Sequence, residues 1–346
     1  MACFEAVSMN HGGPLVQILQ TKKELEKLGV NVGLFDPWKP FSQSDYDLVH
    51  LFSANIGTFH LARNLHLAGI PFVTSPIFFT QHAARTIRTA IAGNSFLNKF
   101  RPGIYSDYNI TRNICGWSKK VLPNTHEEAE LVVHGLGVDE KKISVVPNGV
   151  ESRFQSGNPS LFIKKYGVKD FILSVGHIGP ARKNVLGLIR ALKSIDRPAV
   201  IVGKISKNSA GEQCVREAAQ NKNILLIDGL LNDSKLLASA YAACDVFALP
   251  SLYETPGIAA LEAGLAGAKI VITPHGGTKE YFNDMAEYVE PNSVDSIRNG
   301  ILAALKKPKD DRLQKHIKAN YLWKHVAQKT LEVYKSVLED VKKQKH

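Results

Sequence analysis

Short apolar runs alternate with amphipathic stretches along most of the chain. Phe4–Val7 and Val30–Leu34 are two such runs, and the segment Leu15–Leu28 between them carries apolar residues at helical spacing. This alternation of strands and helices predicts α/β units with parallel sheets. We predict further strands of the same sheet at Leu48–Phe52, Phe72–Ser75 and Val121–Pro123.

A second set of apolar runs follows the turn signal Pro147-Asn148-Gly149. A chain of 346 residues is long enough for two domains with separate cores, and we predict them at residues 1–155 and 156–325. Ligands of open α/β sheets bind at the carboxyl ends of the strands, so chemistry is expected in the loops that follow strands. The strands predicted for the second domain are Phe171–Val175, Ala199–Val202, Ile224–Ile227, Val246–Leu249 and Ile270–Ile272.

Composition narrows the class of protein. Apolar residues make up 44% and charged residues 22%, which is typical of a soluble globular chain. No apolar run reaches the 18 or so residues of a membrane span, and Met1–Asn10 lacks the features of an export signal. We therefore expect a cytoplasmic protein. Reduced thiols rather than disulfides or zinc are expected for the widely spaced cysteines Cys3, Cys115, Cys214 and Cys244.

The net charge of +11 is concentrated in two regions. Residues 82–120 carry a surplus of +6 and residues 306–346 a surplus of +7, which suits anionic partners such as phosphates, nucleic acid or an acidic membrane surface. A solvated helix face explains the same pattern. For the basic and partly apolar segment 82–101, two interpretations stay open: a helix lying on an anionic membrane, or one packed on the core.

The strongest candidate for chemistry is the segment from Glu254 to Glu262, which follows the predicted strand Val246–Leu249. Gly257 and Ile258 come at the predicted start of a helix, where free backbone N–H groups favour an anion. Carboxylates are good acceptors for sugar hydroxyls, so the pattern suits a ligand that joins a sugar, a phosphate and a ribose. A plain helix cap is the alternative.

Two further loops carry candidate residues. Arg182 and Lys183 follow the strand Phe171–Val175 and precede a helix, where an anion such as a departing diphosphate would compensate their charge. Gly12 and Gly13 follow the first predicted strand and permit close backbone approach to a ligand, although a tight turn would need the same residues. Asp45-Tyr46-Asp47 precedes a strand, so we interpret it as a solvated turn and expect no metal.

Five motifs in this order resemble the family-4 glycosyltransferases: Gly12-Gly13, Pro147-Asn148-Gly149-Val150, Arg182-Lys183, the E-x7-E pair Glu254 and Glu262, and Gly276-Gly277 with Glu280. The resemblance implies a GT-B fold, in which two Rossmann-like domains face a central cleft. It also implies that a C-terminal helix, residues 326–346, crosses back to the first domain.

The resemblance further implies a retaining transfer of a hexose from a UDP- or GDP-linked donor to a saccharide or lipid-linked acceptor, without a metal or other cofactor. Arg182 and Lys183 would hold the diphosphate, Glu254 the transferred sugar and Glu262 the ribose. The amides of Gly257 and Ile258 would touch sugar or phosphate, and Gly12 and Gly13 would flank the phosphates. Catalysis would rest on Glu254, Arg182 and Lys183. Bacterial polysaccharide or glycolipid assembly follows by analogy alone.

Two positions depart from the family pattern. His177 stands where the family usually has Arg, and Ser75-Pro76 stands where it often has a sugar-contacting His. His82 or His11 could substitute, and the sequence does not choose between them.

Three rival functions stay open. A nucleotide-sugar epimerase of the same shape is disfavoured by the E-x7-E pair, and a dehydrogenase by the missing dinucleotide fingerprint. A non-catalytic polyanion-binding protein would explain the charge but would leave the paired glutamates and glycine loops without a role. We therefore expect nucleotide sugar and acceptor as partners, and no nucleic acid.

Overall fold

The structure is a computed structural model that describes residues 1–9, 12–100, 103 and 105–343, apart from the side chain of Gln43. The chain divides into two compact units. Unit 1 comprises residues 1–149 together with the segment that begins at Trp323, and unit 2 is Val150–Leu322. The boundary predicted between residues 155 and 156 falls inside the short 3-10 helix Ser152–Ser156.

Unit 1 is built on a parallel sheet whose described strands lie in the order β1-β2-β3. The strands are β1 (Val49–Phe52), β2 (Phe72–Ser75) and β3 (Lys120–Val121). The helices are α1 (Gly13–Lys27), α2 (Ile56–Leu67), α3 (Ala84–Phe100), α4 (Asp107–Trp117), α5 (His126–Glu130) and the C-terminal helix (Trp323–Lys343), with 3-10 turns at Glu5–Ser8, Gln43–Asp45 and Glu140–Lys142 and a π-helical turn at Leu131–Gly135.

The strand predicted at Phe4–Val7 is wrong, because Glu5–Ser8 forms a 3-10 helix and Phe4 is its N-cap. The reason is register. Ala2 pairs in parallel with Leu51, so residues 4–7 extend past the end of β1. The chain of β1 turns away there at Ser53, whose φ is 72°, and the described residues include no partner strand for Phe4–Val7.

The strand predicted at Val30–Leu34 is also wrong, since the structure assigns no strand there. In the part of the chain that the structure describes, the backbone of this segment pairs at Met1, whose amino group donates to the Gly33 carbonyl at 2.7 Å. The Phe35 amide donates to the Met1 carbonyl at 2.8 Å. A single residue of pairing is too short for a ladder.

The C-terminal helix belongs to unit 1, as the resemblance to the family-4 glycosyltransferases implies. Its residues Trp323, Val326 and Val337 are buried together with Val73 of β2 and Leu122. A Cβ on Gly149 would lie 2.7 Å from the Trp323 ring, so the glycine lets the chain pass directly beneath this helix. The predicted return of the helix is confirmed.

Unit 2 is built on a parallel sheet whose described strands lie in the order β6-β5-β4-β7-β8-β9. Its strands are β4 (Ile172–Val175), β5 (Ala199–Val202), β6 (Ile224–Ile227), β7 (Val246–Leu249), β8 (Lys269–Ile272) and β9 (Ala286–Tyr288). Its helices are α6 (Ser160–Tyr166), α7 (Val185–Leu192), α8 (Ser209–Ala219), α9 (Lys235–Ala243), α10 (Ile258–Leu265), α11 (Thr278–Phe282), α12 (Val294–Lys306) and α13 (Arg312–Asn320), with a 3-10 turn at Ala181–Lys183.

The strand order of unit 2 fixes where a ligand site should lie. Counted within the unit, the order is 3-2-1-4-5-6, the doubly wound arrangement of nucleotide-binding folds. The direction of winding reverses between β4 and β7, which pair through Ile172 with Val246 and Leu173 with Phe247. Loops that leave the carboxyl ends of β4 and β7 diverge at this switch point and open a crevice there.

Candidate active site

The loops after β4 and β7 are fastened to each other by Asn184. This residue ends the 3-10 turn Ala181–Lys183 in a left-handed conformation, with φ 49°. Its side-chain amide donates to the carbonyls of Pro250 at 3.0 Å and Pro291 at 2.6 Å. The Leu252 amide also donates to the Arg182 carbonyl at 2.8 Å. The turn that carries Arg182 and Lys183 is therefore locked against the loop that carries Glu254.

Lys183, Arg182 and Glu254 form one ion-pair cluster at the switch point. The Lys183 ammonium lies 2.5 Å from Glu254 Oε1, and Arg182 Nη1 lies 3.4 Å from the same oxygen. Arg182 also donates to the Tyr253 carbonyl at 3.2 Å and lies over the Tyr253 ring. The sequence predicted these residues for separate parts of a ligand, and the structure brings them into direct contact.

The charge of Glu254 is maintained by its cationic neighbours. Burial on its own raises the pKa of this carboxyl, but Lys183 and Arg182 outweigh burial and hold the pKa below its usual value. The side chain of Lys183 keeps 19% of its surface exposed and that of Arg182 40%. Both cations can therefore reach a second anion without leaving Glu254.

Glycine residues bring the backbone close on both sides of Glu254. Gly257 caps α10 with φ 81°, and Ile258 begins the helix, so the predicted helix start is confirmed. On the other side, the Glu254 amide donates to the His275 carbonyl at 3.0 Å. A Cβ on Gly276 would lie only 2.5 Å from the Glu254 carbonyl oxygen. The sequence alone did not indicate that the Gly276 segment supports Glu254.

Glu262 lies about one turn into α10 and is buried, with 5% of its surface exposed. Tyr241 of α9 donates its hydroxyl to Glu262 Oε2 at 2.8 Å. Burial raises the pKa of Glu262 to about 7, although the Tyr241 hydrogen bond and the charge of Arg153 oppose the shift. Burial and the same carboxylate raise the pKa of Tyr241. Sequence reasoning missed Tyr241 because a tyrosine inside an apolar helix gives no sign of its partner.

The remaining candidates are not members of this ion-pair cluster. Gly12 and Gly13 are in unit 1, where Gly12 caps α1 and Gly13 is its first residue. His177 lies two residues after the end of β4 and is largely exposed. Partial desolvation of its ring, together with nearby Lys183, lowers its pKa. His82 hydrogen-bonds through Nδ1 with the Tyr108 hydroxyl at 2.6 Å. His11 lies outside the described residues.

Within the described part of the chain, no three His, Cys, Asp or Glu residues are grouped as metal ligands would be. Asp45 and Asp47 are both exposed near the start of β1. All four cysteines are free thiols, and Cys115, Cys214 and Cys244 are buried.

An open, doubly wound parallel sheet with a polar cluster at its switch point defines a nucleotide-binding type of α/β unit. Comparison with known proteins specifies the class. The structure resembles the Anabaena protein Alr3699/HepE in complex with UDP and glucose, with a TM-score of 0.70 and 15% sequence identity over 97% of this chain and 98% of that one. This likeness shows that the fold is of the predicted GT-B type.

Sequence comparison shows the family. Residues 34–154 match the profile of Glycosyltransferase Family 4, and residues 162–323 match that of Glycosyl transferases group 1. The UDP-Gal:alpha-D-GlcNAc-diphosphoundecaprenol alpha-1,3-galactosyltransferase of Escherichia coli is 30% identical over 78% of this chain and 69% of its own length. The chain belongs to glycosyltransferase family 4.

An uncharacterized glycosyltransferase of Methanocaldococcus jannaschii is also 30% identical, over 68% of this chain. The match spans 66% of the archaeal protein, slightly less than two thirds of its length.

Proposed function

We propose that the protein is a retaining glycosyltransferase that moves a hexose from a UDP- or GDP-linked donor to a lipid-linked or saccharide acceptor. The observation that carries this proposal is the cluster of Lys183, Arg182 and Glu254 at the switch point of unit 2. It offers two cations to a diphosphate and a charged carboxylate to sugar hydroxyls within one small region. Glu262, on the helix that follows, would accept from the ribose hydroxyls.

In this proposal, the bond between the anomeric carbon and the β-phosphate oxygen breaks, and the acceptor hydroxyl oxygen bonds to the same face of that carbon. The nucleotide diphosphate leaves with the additional charge, and the hydroxyl proton passes to it. Lys183 and Arg182 stabilise that charge, together with the free N–H groups at the start of α10. Glu254 holds the sugar and keeps the two cations oriented before the donor arrives. Gly12 and Gly13 are proposed as the phosphate contacts of unit 1.

A nucleotide-release assay over UDP-, GDP- and ADP-sugars, without acceptor, tests the proposal. Slow release from one donor, unchanged by EDTA, is expected, and it would identify base and sugar together. If no donor released nucleotide and no nucleotide shifted the melting temperature, the polyanion-binding alternative would be favoured. Conversion of donor without release would favour the epimerase.

The pKa of Glu262 predicts how donor binding depends on pH. Below a pH of about 7 this carboxyl is protonated in the free protein, whereas ribose hydroxyls favour the carboxylate. Donor binding should therefore lower this pKa and release protons near neutral pH. If the protein with Glu262 protonated does not bind the donor, the Kd for the donor should fall about tenfold between about pH 6 and pH 8.

Titration calorimetry with UDP or GDP, in two buffers that differ in ionisation enthalpy, measures both the Kd and the proton release. The Glu262→Gln variant should bind more weakly and show no such pH dependence. An identical pH profile in the variant would assign the titration to another group.

A membrane surface is our proposal for where the acceptor is met. One face of α3 packs on unit 1 through Ile87 and Ile91, so the core-packing interpretation holds for that face. The opposite side exposes 60% of Phe96 and 74% of Phe100. The helix has no Asp or Glu, and its described basic residues Arg85, Arg88 and Lys99 are exposed. Within the described residues, none of the helices is apolar over a span long enough to traverse a bilayer.

Replacing Phe96 and Phe100 together by serine should weaken binding to phosphatidylglycerol vesicles by at least about tenfold. Burying one Phe contributes about 1.5–3 kcal/mol, and 1.4 kcal/mol corresponds to a factor of ten. Vesicle sedimentation at low and high salt measures the effect. Leu67→Ser, which changes another exposed apolar residue of unit 1, is the matched control. Equal binding of the double variant and wild type would exclude α3 as the membrane surface.

A further inference from the structure

Glu128 is a buried carboxylate whose position the proposed donor chemistry does not explain. It lies on α5 with 1% of its surface exposed. Its Oε2 accepts from the Asn124 amide and its Oε1 from the Phe78 amide, both at 2.7 Å. Phe78 is in the loop after β2, and Asn124 is in the loop after β3. One carboxylate therefore joins the loops of two neighbouring strands.

The same connection extends to α1. Asn124 is itself buried, and its side-chain oxygen accepts from Gln17 Nε2 at 3.0 Å. Gln17 lies one turn after Gly13, the first residue of α1. Three separate segments of unit 1 are thus linked by buried hydrogen bonds at the carboxyl edge of its sheet, the edge at which ligands of parallel sheets bind.

The loop after β2 has a strained turn directly beside this carboxylate. Ile77 has φ 50°, a left-handed conformation that β-branched residues avoid. The next residue, Phe78, donates its amide to Glu128, and a bond from an amide to an ionised acceptor is stronger than one between neutral groups. Such strain persists only where the surrounding structure enforces it, and it is concentrated at functional sites.

The strained turn leads to a cluster of polar side chains. The Tyr108 hydroxyl lies 3.2 Å from Thr80 Oγ1 and 2.6 Å from His82 Nδ1. The His82 amide donates to Thr80 Oγ1 at 3.2 Å. Hydroxyl and imidazole groups in this arrangement both donate and accept hydrogen bonds, which is what recognition of a polyhydroxylated molecule requires.

We propose that Glu128 is a positioning residue for the acceptor: it holds the loop of residues 76–82 in the shape that presents Thr80 and His82 to acceptor hydroxyls. This inference rests on the proposed function for the identity of the ligand. The position of the loop itself does not depend on that function, so the two can be tested separately.

Hydrogen–deuterium exchange of the full chain tests the structural part. Glutamine at position 128 offers one acceptor in place of two, so it leaves one of the two amides unpaired. In Glu128→Gln we expect peptides covering residues 76–82 to exchange at least about tenfold faster than in wild type. Glu130→Gln, which changes an exposed residue of the same helix that pairs with His134, should leave exchange of residues 76–82 as in wild type. Unchanged exchange of residues 76–82 in Glu128→Gln would overturn the proposal, independently of the activity of the variant.

Steady-state kinetics test the functional part, with GlcNAc-diphosphate on a short alkyl chain as the acceptor probe. Glu128→Gln should raise the acceptor KM about tenfold, while acceptor-free donor hydrolysis stays within about twofold of wild type. A merely structural role would lower hydrolysis and transfer together, and that result would overturn the proposal. Glu128→Asp, which keeps the carboxylate, should have an acceptor KM between those of Glu128→Gln and wild type. Wild-type protein that hydrolyses no donor would refute the proposed function, whereas normal hydrolysis with an unchanged acceptor KM would refute only the role of Glu128.

Discussion

The Lys183→Met variant is expected to lose at least about 100-fold in transfer rate, because it removes a cation from the charge that develops on the leaving diphosphate. Its second effect is on stability. Lys183 Nζ lies 2.5 Å from the buried Glu254 carboxylate, and among the described residues Arg182, at 3.4 Å, would remain as its cation. Removing one partner of a buried ion pair lowers the free energy of unfolding by about 3–5 kcal/mol. Because Arg182 still compensates part of the Glu254 charge, we expect a loss near the lower end of this range.

A double variant separates the two effects of Lys183. In Lys183→Met/Glu254→Gln both charges are replaced by neutral side chains of similar size, so no buried charge is left uncompensated. We expect urea unfolding to show that most of the lost stability returns, while the nucleotide-release assay shows that transfer does not.

Lys193→Met is the matched control for the lysine substitution. Lys193 pairs with Glu217 at 3.0 Å on the surface of unit 2. Loss of this surface pair should lower the free energy of unfolding by about 0–1 kcal/mol and leave the transfer rate unchanged. Wild-type turnover in Lys183→Met, or recovery of transfer in the double variant, would contradict the diphosphate assignment.

The sequence predicted the sheet of unit 2 better than that of unit 1, and strand register explains the difference. Val246–Leu249 is a fully buried strand between two parallel neighbours, so the apolar run and the strand coincide. Phe4–Val7 is also an apolar run, but it extends beyond the end of β1, the strand that pairs with Ala2. Hydrophobicity shows that a segment is buried, whereas pairing decides whether it is a strand. The strand Ala286–Tyr288 was missed because all three of its residues are only partly buried and Glu287 interrupts the apolar pattern.

The candidate site was predictable as a set of loops but not as a set of contacts. The rule that ligands bind after parallel strands placed Lys183 and Glu254 in the right loops. Their ion pair joins residues 71 positions apart, and it depends on β4 lying beside β7, which no local pattern encodes. Asn184 looks like an ordinary helix cap in the sequence. Its left-handed backbone and its two carbonyl partners become visible only when three loops are brought together.

The glycine at position 276 should prove as important for transfer as the charged residues that it supports. Gly276 and Gly267 have nearly the same backbone angle, φ 93° and φ 92°, so alanine at either position costs about 1–2 kcal/mol in strain. The two positions differ in their surroundings. A Cβ on Gly276 would lie 2.5 Å from the Glu254 carbonyl oxygen and so clash with the main chain, whereas a Cβ on Gly267 would have no atom within 4 Å.

In Gly276→Ala the Glu254 main chain or the Gly276 segment that supports it must therefore shift. Displacements of about 1 Å in a reacting site can cost about 100-fold in rate. We expect such a loss of nucleotide release in Gly276→Ala and nearly normal release in Gly267→Ala, both measured well below the melting temperatures of the two variants. The melting temperature of Gly276→Ala should be the lower one, because its Cβ clashes with main chain in addition to the strain that both variants share. Equal release from both would show that transfer tolerates displacement of Glu254, and the assignment of that carboxylate to the sugar would then have to be abandoned.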